Sequence, residues 1–337
     1  MSGLVEVAPP DWDDLLVRLE LDDVYFRRSY LESAELLGQG RPTFLHLADP
    51  GGDVLFPCLV RDAEDGYGDI GSPMGYGGPA AAGETPPVHA FLDAYESWCS
   101  ENRIVATFVR FHPVFANQCL AAERWHVEQI GHTIGWRVEG RSRDELVDGM
   151  DSHHRRAVRK ARAVGLDIAV TERPEDLGTF VSLYVETMRR RSASDFYFFP
   201  DAYWQILVSE LRDTVVRFDG LLDGELVASI LCFASPPLLH YHLGASSEHG
   251  QAVSANHLLF VETAAWAAAR GFARFHLGGG VGGFEDSLYE FKRRFDPDGR
   301  LAATLGKAVH DADAYRALAG VAEIDYAGYF PAYRRPS

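Results

Sequence analysis

The chain has 337 residues, of which 47% are hydrophobic, and a formal net charge of −17. This length and apolar content predict one large or two medium domains with well-formed cores. The negative charge disfavours general nucleic-acid binding, so we predict no DNA partner and expect any RNA contact to be confined to a local basic surface.

No apolar run approaches the ~20 residues that a membrane-spanning helix needs, and the acidic first residues (Asp11, Asp13, Asp14) are unlike a secretory signal. The cysteines show neither paired metal spacing nor a disulfide framework; they are Cys58, Cys99, Cys119 and Cys232. The histidines show no metal-binding spacing either. We therefore expect a cytoplasmic protein with reduced thiols, no membrane span and no metal ion. The sequence leaves the oligomeric state open.

The first half begins with two predicted helices within residues 11–40, where apolar residues recur at helical spacing. Residues 44–48 and 54–60 have the composition of strands, and the turn residues 49–52 predict a hairpin between them. A glycine-rich loop at 71–79, a helix at 88–102 and a buried strand at 104–111 follow.

The second half repeats this order of elements. We predict helices at 152–164, 174–190 and 256–270, and strands at 166–170, 215–222, 226–234, 238–243 and 274–277. The charged stretch 143–151 predicts a boundary, which gives a first domain at 1–147 and a second at 148–305. The remaining tail, 306–337, is too short for a domain and is expected to pack on one of the two. The fold class is therefore α/β, with mixed sheets flanked by helices.

The helix at 152–164 carries a basic cluster: Arg155, Arg156, Arg159 and Lys160, with no acidic residue among residues 153–162. Such a cluster in an acidic protein is a candidate site for RNA phosphates, each of which adds salt-dependent affinity. The alternative is a solvated helix face paired with nearby acids.

The segment before the helix at 256–270 reads Gln251-Ala252-Val253-Ser254-Ala255-Asn256. Acetyltransferases that use coenzyme A have a glycine-rich turn here, whose N–H groups bind the pyrophosphate at the helix N-terminus. Ser254 and Asn256 occupy the two glycine positions, and their side chains would obstruct close approach to the backbone. This pattern weakens a coenzyme A interpretation, although the same residues would serve as ordinary helix caps.

A lysine in an aromatic and basic setting, Phe291-Lys292-Arg293-Arg294-Phe295, follows the glycine cluster at 278–283. Acyl transfer to an amine builds negative charge on the carbonyl oxygen, and a fixed cation beside that oxygen lowers the barrier. The alternative is a strand with Phe291 and Phe295 facing inward and Lys292 in water.

Several segments, in order along the chain, resemble the FemXAB family of aminoacyl-tRNA-dependent transferases. They are residues 76–79, 155–160, 186–189, 240–246, 255–259 and 289–295. The resemblance implies two tandem GNAT-like (acyl-CoA N-acyltransferase-like) domains, with the tail returning to the first. It also implies transfer of an aminoacyl group from a charged tRNA to an amine acceptor, with no further cofactor.

By this resemblance, Lys292 and Phe291 are the catalytic residues at the 3′ end of the tRNA. Substrate-binding roles fall on Thr187, Arg189, Tyr241 and Asn256, and tRNA-binding roles on Arg155, Arg156, Arg159 and Lys160. The implied acceptor is a cell-wall muropeptide precursor or a peptide or nucleoside antibiotic intermediate. The early helix at 30–37 has no basic residue for a nucleotide-linked muropeptide, which favours the second class of acceptor. The two competing hypotheses are an acyl-coenzyme A-dependent N-acyltransferase and a non-catalytic binding protein on the same fold.

Overall fold

The computed structural model describes residues 3–335. Residues 1 and 2 of the predicted first domain, and residues 336 and 337 of the predicted tail, lie outside the described part. The chain divides into two compact units. Unit 1 contains residues up to Ile130 together with those from Ala302 onward, and unit 2 contains Gly131–Leu301.

Unit 1 is built from a mostly antiparallel sheet with helices against it. Its strands are β1 (Val5–Glu6), β2 (Arg41–Asp49), β3 (Gly52–Asp62), β4 (Gly68–Gly71), β5 (Ala80–Ala82) and β6 (Ile104–Arg110). Its helices up to that point are α1 (Trp12–Arg18), α2 (Arg28–Leu36) and α3 (Val88–Glu101). β1, β2, β3 and β4 pair in that order, β5 pairs with β3, and β4 runs parallel to β6.

Unit 2 has a sheet of the same kind. It contains β7 (His126–Arg137, which crosses the boundary at 130), α4 (Arg143–Asp148), α5 (Ser152–Ala163), β8 (Asp167–Glu172), α6 (Gly178–Arg190), α7 (Asp201–Val208), β9 (Val215–Leu222), β10 (Glu225–Ser235), β11 (Leu238–Ser246), α8 (Glu248–Ala252), α9 (Ala255–Ala269), β12 (Arg274–Gly278) and α10 (Ser287–Arg293). The strand order is β7-β12-β11-β10-β9-β8. Only the β11–β12 pair is parallel among the described strands of this unit.

The tail begins with β13 (Arg300–Val309), which crosses the boundary at 301 and pairs with β6 inside unit 1. α11 (Ala312–Ala319) follows, and its Tyr315 packs with Phe330 in a small apolar cluster of that unit. Arg334 then binds the carboxylate of Asp69 at 2.9 Å. The tail is therefore an integral part of unit 1.

The boundary lies before the predicted one at 147/148. Residues 143–151 are not a linker, because Ser142 and Glu145 form a capping box at the start of α4 and Asp151 caps α5. The predicted helix at 174–190 begins only at Gly178, since the Asp176 carboxylate accepts a hydrogen bond from the Gly178 N–H. The strand alternative for 291–295 is wrong, because residues 287–293 form α10.

The core of unit 2 lies between its sheet and the helices α5 and α9. α9 is apolar over most of its surface, so it is buried along nearly its whole length, with Leu259, Val261 and Ala264 fully inaccessible. Within residues 3–335, no helix combines the length and apolar character needed to cross a membrane.

Candidate functional site

A pocket of about 290 Å³ opens in unit 2 where two parallel strands separate. β11 and β12 pair only as far as His240 and His276, and β11 then continues to Ser246 without this partner. Tyr241, Gly244, Ala245 and Ser246 line the open groove beside it. The pocket brings together Lys292, Phe291, Thr187, Tyr241 and Asn256, five of the residues predicted as catalytic or substrate-binding.

Lys292 is placed at this groove by the short helix α10. The Asp286 carboxylate starts the helix by accepting hydrogen bonds from the N–H groups of Leu288 and Tyr289, and a third from Val281 in the glycine loop. The same carboxylate thus connects the loop to the helix, which fixes the direction in which Lys292 leaves the backbone.

The Lys292 ammonium is buried, with 5% of the residue exposed. It donates to the Gly279 carbonyl at 2.7 Å and lies 5.3 Å from the centre of the Tyr241 ring. Burial lowers the pKa of Lys292 to about 7, and the negative charge of Asp286 opposes that shift. Both protonation states are therefore accessible near neutral pH, which suits a group that takes part in proton or charge transfer.

Tyr241 forms the opposite wall of the pocket. Burial raises the pKa of its phenol well above the ordinary range, so the hydroxyl is neutral and can donate a hydrogen bond. A Cβ atom on Gly244 would lie 2.5 Å from this hydroxyl oxygen, closer than real Cβ contacts allow. Glycine at 244 is therefore a requirement for the position of the tyrosine hydroxyl.

The end of α6 supplies the third side of the pocket. The Thr187 hydroxyl is buried and donates to the Leu183 carbonyl at 2.7 Å, while it accepts from the Ser246 N–H at 3.1 Å. Arg190 also donates to the Ser246 carbonyl. These contacts tie the free end of β11 to α6 and hold the groove open.

Arg189 does not line this pocket; it is exposed on another face of α6. Arg191, which sequence reasoning missed, lines it instead. The difference follows from helical geometry, since Thr187 and Arg191 are four residues apart and share a face, whereas a spacing of two does not. The spacing of four residues from Thr187 is the feature of the sequence that predicts Arg191 as a pocket residue.

Asn256 lies in the first turn of α9, with its amide nitrogen 3.5 Å from the Ser246 hydroxyl. Ser254 stands at the N-cap position in a left-handed conformation, with φ of 64°, but its side chain makes no capping hydrogen bond with the described residues, unlike the predicted helix cap. The helix α8 already occupies residues 248–252 of this segment. The side chains of Ser254 and Asn256, together with α8, do not fit the open glycine cradle that coenzyme A pyrophosphate requires.

The four basic residues predicted to bind tRNA lie on α5 but have different surroundings. Arg155 donates to the Asp148 and Met150 carbonyls at 3.0 and 2.5 Å, and so caps the end of α4. Lys160 donates to the Ala252 carbonyl at 2.5 Å. Arg156 and Arg159 are exposed, and for Arg159 no hydrogen bond or ion pair is formed with any residue between 3 and 335. Arg156 donates to the Ser152 hydroxyl at 3.5 Å, so Arg156 and Arg159 are the two of these four cations that bind no backbone carbonyl of the described residues.

Residues 150–293 match the family model described as an acetyltransferase (GNAT) domain. Curated proteins give no match to the sequence. The similar solved structures include a crystal structure of FemX, with a TM-score of 0.70 and 15% identity over 94% of this chain and 99% of that one. L-PGS from Bacillus licheniformis has a TM-score of 0.56 and 12% identity, covering 93% and 94% of the two chains.

A tandem GNAT protein from the clavulanic acid biosynthesis pathway is also similar, with a TM-score of 0.53 and 9% identity over 91% of this chain and 98% of that one. Identities this low establish a common fold. The chain therefore has a FemX-like tandem GNAT fold, the fold of an acyltransferase, with the recognised GNAT domain in unit 2.

Proposed function

We propose that this chain is an aminoacyltransferase, which transfers an aminoacyl group from a charged tRNA to the amine of a small acceptor. The observation that carries the proposal is the buried Lys292 ammonium, which lies opposite Tyr241 in the pocket between the separating strands. A lysine that is desolvated without a carboxylate in direct contact costs folding free energy, and active sites are where such costs are found.

The reaction needs no oxidant or metal. The acceptor amine attacks the carbonyl carbon of the aminoacyl ester and forms a C–N bond, and the carbonyl oxygen takes up the negative charge. Collapse of this intermediate breaks the C–O bond to the ribose. The proton lost by the amine passes to the ribose oxygen, so the products are an amide and a tRNA with a free hydroxyl.

In this step, the Lys292 ammonium and the Tyr241 hydroxyl would stabilise the oxyanion. Both groups lie on the pocket wall, and the Lys292 ammonium is held by the Gly279 carbonyl before the substrate arrives, so little reorganisation of the lysine is needed. The aminoacyl ester is already activated, so orientation together with oxyanion stabilisation provides sufficient catalysis without a covalent enzyme intermediate. Phe291 would position the ester, since its ring lies on the same wall.

Two features favour tRNA over coenzyme A as the donor. The turn before α9 lacks the glycine cradle for a pyrophosphate, as Ser254 and Asn256 stand in the glycine positions. The exposed guanidinium groups of Arg156 and Arg159, in a chain with net charge −17, form a local surface that attracts a polyanion. The resemblance of the sequence to the FemXAB family supports the same donor.

The acceptor is expected to carry an anionic group as well as the amine. Arg191 lines the pocket and is exposed, so its guanidinium is available to bind a carboxylate or phosphate of the acceptor. The peptide or nucleoside intermediates and cell-wall precursors implied by the family resemblance fit this description.

Total tRNA charged with a labelled amino-acid mixture tests the proposal. The protein is incubated with the charged tRNA and an extract of small amine metabolites, with and without prior RNase treatment. The proposal expects labelled product that requires the enzyme, disappears after RNase treatment and is strongly reduced with Lys292→Met. Transfer only from acyl-coenzyme A in a parallel tube would contradict the proposal and establish the second candidate, an acyl-coenzyme A-dependent N-acyltransferase. The match of residues 150–293 to an acetyltransferase domain favours this candidate. Unchanged product with Lys292→Met would remove the assigned role of Lys292.

A further inference from the structure

Three histidines from two helices meet behind Phe291. His153 and His154 lie in the first turn of α5, and His257 lies in the first turn of α9. One ring nitrogen from each of them lies within 4.8 Å of those of the other two. Because His153 and His154 are adjacent and His257 is far away in sequence, no spacing rule reveals the cluster.

The tautomer of His154 is set by its surroundings. Its Nε2 lies 2.9 Å from the carbonyl oxygen of Phe291, so Nε2 carries the proton and donates it. Nδ1 therefore has a free lone pair, and it is buried without a hydrogen-bond partner among the described residues. A histidine whose second nitrogen donates to a backbone carbonyl has the arrangement typical of metal ligands.

His257 shares one of these features with His154. Its Nδ1 is also buried and makes no hydrogen bond within the described part of the chain. Two neighbouring buried ring nitrogens without hydrogen-bond partners are costly, because each loses its hydration without compensation.

We propose that His153, His154 and His257 bind one Zn²⁺ ion, with water in the fourth position. Three atoms within 4.8 Å of one another share a point about 2.8 Å from each, and small side-chain rotations reach the Zn–N distance of about 2.0–2.1 Å. His153 is exposed and free to make the largest adjustment. Imidazole nitrogen is a preferred ligand of Zn²⁺.

Two charged side chains, Arg294 and Asp151, lie near the cluster. The Arg294 guanidinium is a positive group close enough to affect both buried rings, and it opposes cation binding. The Asp151 carboxylate, which caps α5 beside His153, interacts with Arg294 and offsets its charge.

The ion would fix α5 against α9 and hold the backbone of Phe291 through His154. The Lys292 ammonium binds Gly279 and not the histidines, so the ion would lie apart from the proposed oxyanion contact. The site is therefore independent of which acyl donor the enzyme uses.

The direct test is a titration of tag-free protein with Co²⁺ after treatment with EDTA and desalting. Tetrahedral Co²⁺ absorbs visible light, and Zn²⁺ should displace it at one equivalent. We expect His153→Ala, which removes an exposed side chain and leaves the core intact, to weaken binding at least 10-fold. The matched control is His249→Ala, which removes an exposed histidine from α8 of the same unit and should bind as the wild type does. Wild-type protein without saturable 1:1 binding, or equal affinity in His153→Ala, would overturn the proposal.

Thermal unfolding provides a second readout that does not depend on enzyme activity. An ion that binds only the folded protein raises the melting temperature by mass action. Zn²⁺ should therefore raise the Tm of the wild type and of His249→Ala, but not that of His153→Ala. An equal rise in all three proteins would place the ion elsewhere and refute this assignment.

Discussion

Replacing Lys292 by methionine should weaken catalysis and strengthen the fold at the same time. The substitution keeps the length of the side chain and removes the buried charge. Because burial lowers the pKa of Lys292 from 10.5 to about 7, keeping the ammonium charged in the folded protein costs about 5 kcal/mol, at 1.36 kcal/mol per pKa unit. Losing the hydrogen bond to the Gly279 carbonyl offsets about 1–3 kcal/mol of this gain in stability. The variant should therefore gain about 2–4 kcal/mol near pH 6.

The gain in stability of Lys292→Met depends on pH, because the folded and the unfolded wild-type chains bind the Lys292 proton with different pKa values. Below pH 7, the folded and the unfolded wild-type chains both hold the proton, and the full cost is present. Between pH 7 and 10.5, the unfolded chain keeps the proton that the folded chain has released, so wild-type stability rises by about 1.4 kcal/mol per pH unit. The advantage of Lys292→Met should thus shrink by about 2–3 kcal/mol between pH 6 and pH 9.

Urea unfolding of both proteins at pH 6 and pH 9 measures this difference. Lys307→Met is the matched control, because Lys307 is also buried but its charge is paired with Glu128 at 2.7 Å. Removing it leaves Glu128 without its partner, so this variant should lose stability. In the transfer assay, Lys292→Met should lower kcat by about 10²–10³, the cost of losing one oxyanion donor. The reasoning is refuted if Lys292→Met is less stable than the wild type and the difference in the free energy of unfolding is the same at both pH values.

The remaining predictions concern the pocket and the basic surface. Arg191→Gln should raise KM for an anionic acceptor at least about 10-fold, whereas Arg189→Gln, which alters an exposed neighbour, should leave KM unchanged; equal effects would deny Arg191 its role. Arg159→Gln should reduce the slope of log affinity for tRNA against log salt by about 0.7–0.9, and an unchanged slope would make this helix face a purely solvated one. Gly244→Ala should displace the Tyr241 hydroxyl, because the added methyl group would lie 2.5 Å from its oxygen. Steady-state kinetics, with Gly220→Ala as the control, should show a larger effect on kcat than on KM.

The elements that sequence patterns predicted correctly have strong local signals. The β9–β10 hairpin of unit 2 follows from the Asp223-Gly224 turn between two apolar runs, and α9 follows from a long apolar helix with a polar start. α10 is harder to predict, because the apolar pattern of a seven-residue element fits either a strand or a helix. Asp286, two residues before Leu288, was the usable helix signal.

The state of Lys292 could not be predicted, since a lysine followed by two arginines is normally at the surface. Its burial depends on where β11 and β12 stop pairing, and that point is set by contacts between distant residues such as Thr187 and Ser246. The histidine cluster depends in the same way on α5 packing against α9. Long-range contacts of this kind have no counterpart in local sequence spacing.

A lysine with a pKa near 7 is only partly protonated at neutral pH, so the donor itself should complete its protonation. The phosphates of a tRNA bring negative charge towards unit 2, and a nearby negative charge raises the pKa of an ammonium group. The chain has only three lysines, Lys160, Lys292 and Lys307, so reductive methylation with ¹³C gives one resonance for each. The resonance of Lys292 should titrate near pH 7 in the free protein and at a higher pH with a charged tRNA bound. Titration at the same pH in both states would mean that the donor does not approach Lys292, and the proposed oxyanion role would fail with it.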